Sequence, residues 1–95
     1  MANAICMHET SCGEKGVGKT KNNLCGIRRH SKFESYKTKQ DGFNDCLSVY
    51  VRLYKGKSIA QMSLRWTTTQ QTEWRNNVMY YYFKFLNGEL ELKFK

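Results

Sequence analysis

The chain lacks any run of about 18 apolar residues, so it contains no candidate for a membrane-spanning helix. Its N-terminus, MANAICMHETSC, also lacks the charged start and the apolar stretch of a secretory signal peptide. These absences predict an intracellular, cytoplasmic protein with no membrane partner, in which the cysteines stay reduced. In a processed secreted protein, the four cysteines could instead form two disulfides in any of three pairings.

Groups for acid–base catalysis are also scarce, since the chain has eight Asp and Glu residues and two histidines. The carboxylates are scattered, and no serine or cysteine has a recognisable base partner in the sequence. The sequence therefore predicts a protein that is not an enzyme. The alternative is a metal-dependent nuclease that would use His8 and Glu9.

A chain of 95 residues is long enough for one small domain. A core of this size is marginal, so a bound metal or a partner chain would help to stabilise it. We predict a single domain over residues 1–95. Within it, residues 1–45 form a basic arm that contains Cys and His residues, and residues 46–95 form an antiparallel sheet.

The positive charge is concentrated in one segment. The net charge is +8, and residues 15–39 hold eight Lys and Arg residues against a single acid, Glu34. Such a field attracts phosphates or acidic protein surfaces. The residues predicted to contact nucleic acid or an acidic partner are Lys15, Lys19, Lys21, Arg28, Arg29, Lys32, Tyr36, Lys37, Lys39 and Arg52.

Two functions could use these charges. The first is that of a small basic nucleic-acid-binding protein, in which cations contact phosphates and aromatic side chains such as Tyr36 stack on bases. The polar face of the predicted sheet, with Arg52 and Arg65, would extend this surface. The alternative is a protein-binding inhibitor or modulator, of a phage or mobile-element type. It would dock its basic arm on an acidic or nucleic-acid-binding surface of a larger host enzyme.

The segment GEKGVGKT, residues 13–20, matches the pattern of a phosphate-binding P-loop. A P-loop requires an apolar strand before its first glycine and a helix that starts at its Lys-Thr pair. The flanking residues show neither pattern, and no acid ends an apolar strand to hold magnesium. We therefore interpret this segment as a flexible glycine-containing loop.

Three cysteines and a histidine within residues 6–30 are arranged as two pairs around a loop. Thiolate and imidazole ligands suit tetrahedral zinc. The order of a Cys pair, Leu24-Cys25 and His30 loosely resembles a pattern in small phage and mobile-element proteins, but the pair spacings of C-x5-C-x12-C-x4-H are longer. The sequence thus predicts a zinc staple, with His8 as a rival ligand. The predicted ligands are Cys6, Cys12, Cys25 and His30.

Apolar and polar residues alternate over residues 46–54 and 59–66, which predicts two β-strands. Residues 55–56, Lys-Gly, lie between them and suit a tight turn. The pairing would give one apolar face and one polar face. This is the pattern of a β-hairpin that covers a core on one side.

A second hairpin is predicted over residues 78–95. Asn87-Gly88 is the preferred residue pair for a type I′ turn. In this register apolar residues pair on one face, and Lys84 faces Glu91 on the other. The aromatic residues before the turn also favour a strand.

Residues 67–77 link the two hairpins as a loop or as a short helix, with a capping box at Thr68 and Gln71. In an alternative, the helix continues through Val78 to Gly88. That arrangement would resemble the three-strand-plus-helix plan of AP2-type DNA-binding domains. We favour the second hairpin because its cross-strand pairs need no adjustment.

The predicted fold class is mostly β. It is a four-stranded antiparallel sheet of two hairpins with a short linking helix or loop, preceded by an irregular basic arm with the candidate zinc site. Trp66, Trp74, the linker and the arm would cover the apolar face of the sheet. A homodimer would be another way to cover it.

Overall fold

The computed structural model describes residues 1–92 as five helices and one two-stranded antiparallel sheet. The predicted mostly-β fold is therefore wrong, because no other part of the described chain forms a strand. Residues 93–95, the end of the predicted fourth strand, lie outside the described residues. The helices are α1 (Ala2–Thr10), α2 (Gly16–Thr20), α3 (Lys39–Leu53), α4 (Ile59–Trp66) and α5 (Gln71–Leu86), and the strands are β1 (Arg28–Arg29) and β2 (Lys32–Phe33).

Helix α1 lies at the centre of the fold. Ala4, Ile5 and Cys6 are fully buried, and the helix packs against both α3 and α5. Small and apolar residues on most sides of a helix are typical of a segment enclosed by its neighbours. The arm that was predicted to be irregular thus supplies the middle of the core.

Helix α3 spans the first predicted strand. Thr38 caps its N-terminus, because its hydroxyl accepts a hydrogen bond at 3.1 Å from a backbone N–H of the first turn. Cys46 and Val49 are buried three positions apart, which is the period of a helix. The alternating pattern was misleading because it included Leu47 and Val51, which are 43% and 52% exposed.

Helix α4 replaces the second predicted strand. Ser58 and Gln61 form a capping box, in which each side chain accepts a hydrogen bond from the other residue's backbone N–H, at 3.1 and 2.9 Å. Met62 is buried, whereas Leu64, on the same face of the predicted strand, is 65% exposed. The predicted turn at residues 55–56 is present, but it connects two helices.

Helix α5 follows the helical alternative in place of the favoured hairpin. Trp74 and Val78 are buried one turn apart and face the core. The predicted capping box at Thr68 and Gln71 does not form, since the N-cap residue is Gln70 and makes no side-chain cap. The strands of the AP2-like plan are also missing from residues 1–92. Among these residues, no helix is long and apolar enough to cross a membrane.

Asn87-Gly88 ends α5 and does not start a returning strand. Gly88 has a φ of 74°, and its N–H donates to the Phe85 carbonyl oxygen at 3.2 Å. The Glu89 N–H donates to the Lys84 carbonyl oxygen at 2.9 Å. This pair of bonds is the Schellman ending of a helix. The Lys84 ammonium consequently lies 3.6 Å from the Glu89 carboxylate, and the predicted register with Glu91 does not arise.

The four cysteines form two disulfides, Cys6–Cys12 and Cys25–Cys46, in place of the predicted reduced thiols. The first bond closes the turn that follows α1. The second joins the loop before β1 to α3, across 21 positions in sequence. Cys25 and Cys46 are fully buried, and both sulfur atoms lie 4.0 Å from the Ala2 carbonyl oxygen. This bond therefore connects three parts of the chain around the start of α1.

Peptide mapping without reduction checks the two bonds. Trypsin is expected to release residues 1–15 with an internal disulfide, two hydrogens lighter than the reduced peptide. It should also release residues 22–28 covalently linked to residues 40–52. A native mass with one bound zinc and four free thiols would contradict the pairing and support the predicted metal site.

Gly42→Ala is expected to destabilise the fold. A Cβ at this position would overlap the backbone carbonyl oxygen of Asn22, at a cost of about 3 kcal/mol. The better helix propensity of alanine offsets only about 1 kcal/mol of this. Urea unfolding followed by circular dichroism measures the difference.

Gly88→Ala is the control for this substitution. Gly88 has a positive φ but nothing within 4 Å of the added Cβ, so its cost is about 1 kcal/mol from backbone strain alone. Equal effects of the two alanine substitutions would show that Gly42 is not held against Asn22.

Candidate anion-binding cleft

A cleft of about 760 Å³ is lined by the β1–β2 hairpin, by α3 and α4, and by the end of α1. Its size falls within the range of about 300–1,000 Å³ for sites that hold small molecules. Val49, Leu53, Tyr54 and Trp66 contribute apolar and aromatic surface to its lining. The cleft contains four arginines from three elements, namely Arg28 and Arg29 of β1, Arg52 of α3 and Arg65 of α4.

The hairpin is held at its base by Asn23, which is fully buried. Its side-chain amide donates to the carbonyl oxygens of Ile27 at 2.8 Å and Glu34 at 3.0 Å, and accepts from the Ile27 N–H at 2.9 Å. The two turn residues, His30 and Ser31, both have positive φ, at 54° and 63°. Two central residues with positive φ define the type I′ turn that matches the twist of paired strands.

Arg29 connects the hairpin to α3. Its guanidinium makes two hydrogen bonds to the Asp45 carboxylate, at 2.8 and 3.3 Å, and the Tyr36 hydroxyl donates to the same carboxylate. These hydrogen bonds, with that from Arg29 the largest, hold the pKa of Asp45 below its usual value. Burial, followed by the Asp45 interaction, raises the pKa of Tyr36. Arg29 and Tyr36 therefore position the hairpin, and their polar groups are already engaged.

The other three arginines of the cleft are exposed. None belongs to an ion pair within residues 1–92. The Arg28 guanidinium lies 4.2 Å from the centre of the Phe33 ring. Arg65 hydrogen-bonds Tyr54, and this contact opposes the rise in the Tyr54 pKa that burial causes. Arg28, Arg52 and Arg65 thus form no salt bridge within residues 1–92, although the charge of Arg52 helps to lower the pKa of Asp45.

Glu9 is the single acid among the residues that line the cleft. Its Oε1 atom accepts a hydrogen bond from the Trp74 indole N–H at 3.0 Å. Its Oε2 atom faces Gly26, where an added Cβ would lie 3.7 Å away. Burial raises the pKa of Glu9, while the Trp74 hydrogen bond and the nearby His8 lower it. The result is a half-buried carboxylate in which Oε1 is hydrogen-bonded and Oε2 has no hydrogen-bond partner within the described residues.

Trp66 connects the cleft to the aromatic core. Its ring centre lies 5.2 Å from that of Tyr54 and 6.2 Å from that of Trp74, with an angle of 27° between the two indole planes. Trp66 lines the cleft and is only partly buried. The lining of the cleft therefore combines an indole with exposed guanidinium groups.

The structure brings together three of the residues predicted to contact an anionic partner, Arg28, Arg29 and Arg52. The remaining cations of that prediction lie outside the cleft, and Lys39 is 3.9 Å from the Glu14 carboxylate. Sequence reasoning considered Glu9 only for a metal-dependent nuclease, and it assigned no binding role to Trp66. The helical period of residues 59–66 was the available signal for Trp66, since it places this residue one turn beyond the buried Met62.

The predicted zinc ligands are not gathered into one site. The disulfides place Cys6 with Cys12 and Cys25 with Cys46, and His30 lies exposed in the hairpin turn. No group of three or more potential ligands occurs in residues 1–92. Zinc at these positions remains a prediction that requires reduction of both bonds, because thiolates are the ligands.

The P-loop-like segment has a packing role. Helix α1 precedes it where a P-loop would need a strand, and α2 starts at Gly16, before the Lys-Thr pair. Gly18 is buried against Thr10, and an added Cβ would overlap the Thr10 side chain. The Thr10 hydroxyl donates to the Leu24 carbonyl oxygen at 2.7 Å. The glycines thus allow the chain to approach the end of α1 closely.

Glu9→Gln is expected to stabilise the protein at neutral pH. Glutamine retains an oxygen for the Trp74 indole and removes a charge that burial disfavours. Because the folded-state pKa of Glu9 is raised, the folded protein binds this proton more tightly than the unfolded chain. Wild-type stability should therefore fall as the pH rises from about 4 through the raised pKa, and the variant should escape this loss.

Thermal unfolding between about pH 4 and pH 8 measures the difference in stability between the wild type and the Glu9→Gln variant. Glu73→Gln removes a charge from an exposed position of α5 and serves as the control, with no pH-dependent gap expected. A Glu9→Gln variant that is less stable than wild type at pH 7 would contradict the assignment of Glu9 as a strained buried acid.

Comparison with protein-family models, curated proteins and solved structures finds no match to this chain. No relative or structural neighbour therefore contributes to the assignment of a function. The function has to be argued from the cleft and from the charges around it.

Proposed function

We propose that this protein is a small, non-enzymatic nucleic-acid-binding protein that contacts phosphates through the arginines of the cleft. The observation that supports the proposal is that Arg28, Arg52 and Arg65 line one concave surface and form no salt bridge within the described residues. Guanidinium groups bind phosphates with two parallel hydrogen bonds, so free arginines suit this ligand. Their convergence supports a nucleic-acid backbone as the partner.

The exposed lysines extend the positive field beyond the cleft. Lys15, Lys19, Lys21, Lys32 and Lys37 are all exposed to solvent. None forms an ion pair in the part of the chain that the structure describes. A field of this kind raises the rate at which a polyanion associates, and makes binding depend on salt.

A protein partner is the second candidate, and a different surface favours it. Tyr80, Phe83 and Leu86 lie along one side of α5 and are 56%, 53% and 62% exposed. Exposed aromatic and apolar groups of this kind are common at protein interfaces. A stoichiometric protein complex that survives nuclease treatment would favour this candidate.

The cytoplasmic location remains a proposal. Disulfides are rare in reducing compartments, so the two bonds of this structure favour an oxidising environment instead. In the cytoplasm, the protein would have to keep both disulfides oxidised, or its reduced thiols would have to coordinate a metal.

The salt dependence of binding tests the proposed function. Fluorescence anisotropy with DNA and RNA oligonucleotides should show tight binding at about 50 mM salt and a steep decrease by about 200 mM. The Arg52→Ala, Arg65→Ala double variant should bind more weakly. It should also lower the slope of log affinity against log salt by about 0.7–0.9 for each phosphate that the variant no longer neutralises.

Arg75→Ala is the matched control. This arginine lies on α5 and bonds Thr72 at 3.1 Å, outside the cleft, so its removal should leave the slope unchanged. Absence of binding to any nucleic acid at the lowest salt, or equal effects of the cleft and control variants, would refute the proposal.

A further inference from the structure

We infer that the cleft takes one nucleotide of a single strand, with its base against Trp66, its phosphate on the arginines, and guanine preferred through hydrogen bonds to Glu9. This inference rests on the proposed function and specifies the ligand of the same cleft. A cleft that bound phosphate alone would need neither aromatic side chains nor an acid in its lining.

The apolar and aromatic side chains of the cleft favour an unpaired nucleotide. Val49, Leu53, Tyr54 and Trp66 line the cleft, and they offer apolar and aromatic surface within a concavity. In a duplex the faces of the bases are stacked and cannot enter such a concavity. In a single strand they are free to stack on aromatic rings or on guanidinium planes. The Arg28–Phe33 pair, with its guanidinium 4.2 Å from the ring, adds such a plane to the wall.

Glu9 supplies the chemistry for selecting the base. Its open Oε2 atom and the remaining lone pair of Oε1 are hydrogen-bond acceptors, whereas the arginines offer only donors. A phosphate would be repelled by this carboxylate and should stay near the guanidinium groups. A group with N–H donors is therefore the component of a nucleotide that suits the Glu9 end of the cleft.

Guanine is the base that fits a carboxylate best. Its pairing edge presents two adjacent donors, N1–H and N2–H, which a carboxylate accepts together. Adenine and cytosine place an acceptor nitrogen beside the amino donor, and thymine places carbonyl oxygens on both sides of its N3–H. These acceptors repel a carboxylate. Guanine therefore makes two favourable contacts where the other bases make one favourable and at least one unfavourable.

The geometry around Glu9 keeps this acceptor available. Trp74 holds one oxygen at 3.0 Å and so fixes the orientation of the carboxylate. Gly26 has no side chain to cover the other oxygen, and a Cβ there would stand 3.7 Å from it. Thr67 and Thr68 line the same cleft and add hydroxyl groups. None of the four arginines of the cleft pairs with Glu9 within the described chain.

Binding to short oligonucleotides tests the inference. The probes are an oligothymidylate, the same strand with one central guanosine, and a duplex of equal length, all at about 50 mM salt. The guanosine strand should bind about tenfold more tightly than the oligothymidylate, as expected for one good bidentate base contact. Both single strands should bind more tightly than the duplex, and should quench tryptophan fluorescence.

Glu9→Gln is the diagnostic variant. Its amide retains the contact to Trp74 but presents a donor where the carboxylate presented an acceptor. It should lose the preference for the guanosine strand while its affinity for oligothymidylate stays the same or rises. Glu73→Gln, with the same change of charge on exposed α5, should retain the full preference.

The outcomes separate this inference from the proposed function. Equal binding of the guanosine and thymidine strands, or tighter binding of the duplex, would overturn the inference and leave a phosphate-binding protein. Preference for guanosine that persists in Glu9→Gln would also overturn it. If no nucleic acid binds at low salt, both the proposed function and this inference are refuted.

Discussion

The enclosure of α1 is the constraint on which the rest of the structure depends. The helix has nine residues, and an isolated helix of that length is marginal in water. Its stability must come from the packing of α3 and α5 around it. The Cys25–Cys46 bond lies beside its first residues, and the turn after it is closed by Cys6–Cys12. Glu9 and Thr10 then emerge from the end of the same helix, so the core also positions the cleft.

Some polar side chains of the cleft hold its walls together, and others remain available to a ligand. Asn23 orders the base of the hairpin, and the Arg29–Asp45 pair connects the hairpin to α3. Arg28 and Arg65 remain exposed beside them. Glu9 is different, since burial raises its pKa, and the Trp74 hydrogen bond and the nearby His8 offset this rise only in part. A strained acid of this kind is typical of binding and catalytic sites, where stability is given up for a specific interaction.

Several local signals in the sequence did indicate helices. Ser58 with Gln61 forms the capping box that begins α4. The same residue pattern at Thr68 and Gln71 does not cap α5, so the pattern alone is not decisive. The buried residues of α3 follow a helical period, but Leu47 and Val51 add an alternating pattern on top of it. Because the exposed apolar residues completed a period of two, the strand interpretation accounted for more of the sequence.

The sequence by itself determined the breaks after α3 and α5 and the distribution of charge. Gly56 and Gly88 both adopt positive φ, a backbone property that glycine provides locally. The cations of the basic segment are mostly exposed, because removing a charge from water is unfavourable wherever it lies in the fold.

Only the tertiary structure decided between helix and strand for residues 46–86, the pairing of the cysteines, and the meeting of Arg28, Arg52 and Arg65. Each of these depends on contacts between residues distant in sequence. The apolar residues of α3 and α5 could have covered either a sheet or a helix, and the buried surface of α1 selects the helical arrangement. The cleft exists because this packing brings the hairpin, α3 and α4 around the end of α1.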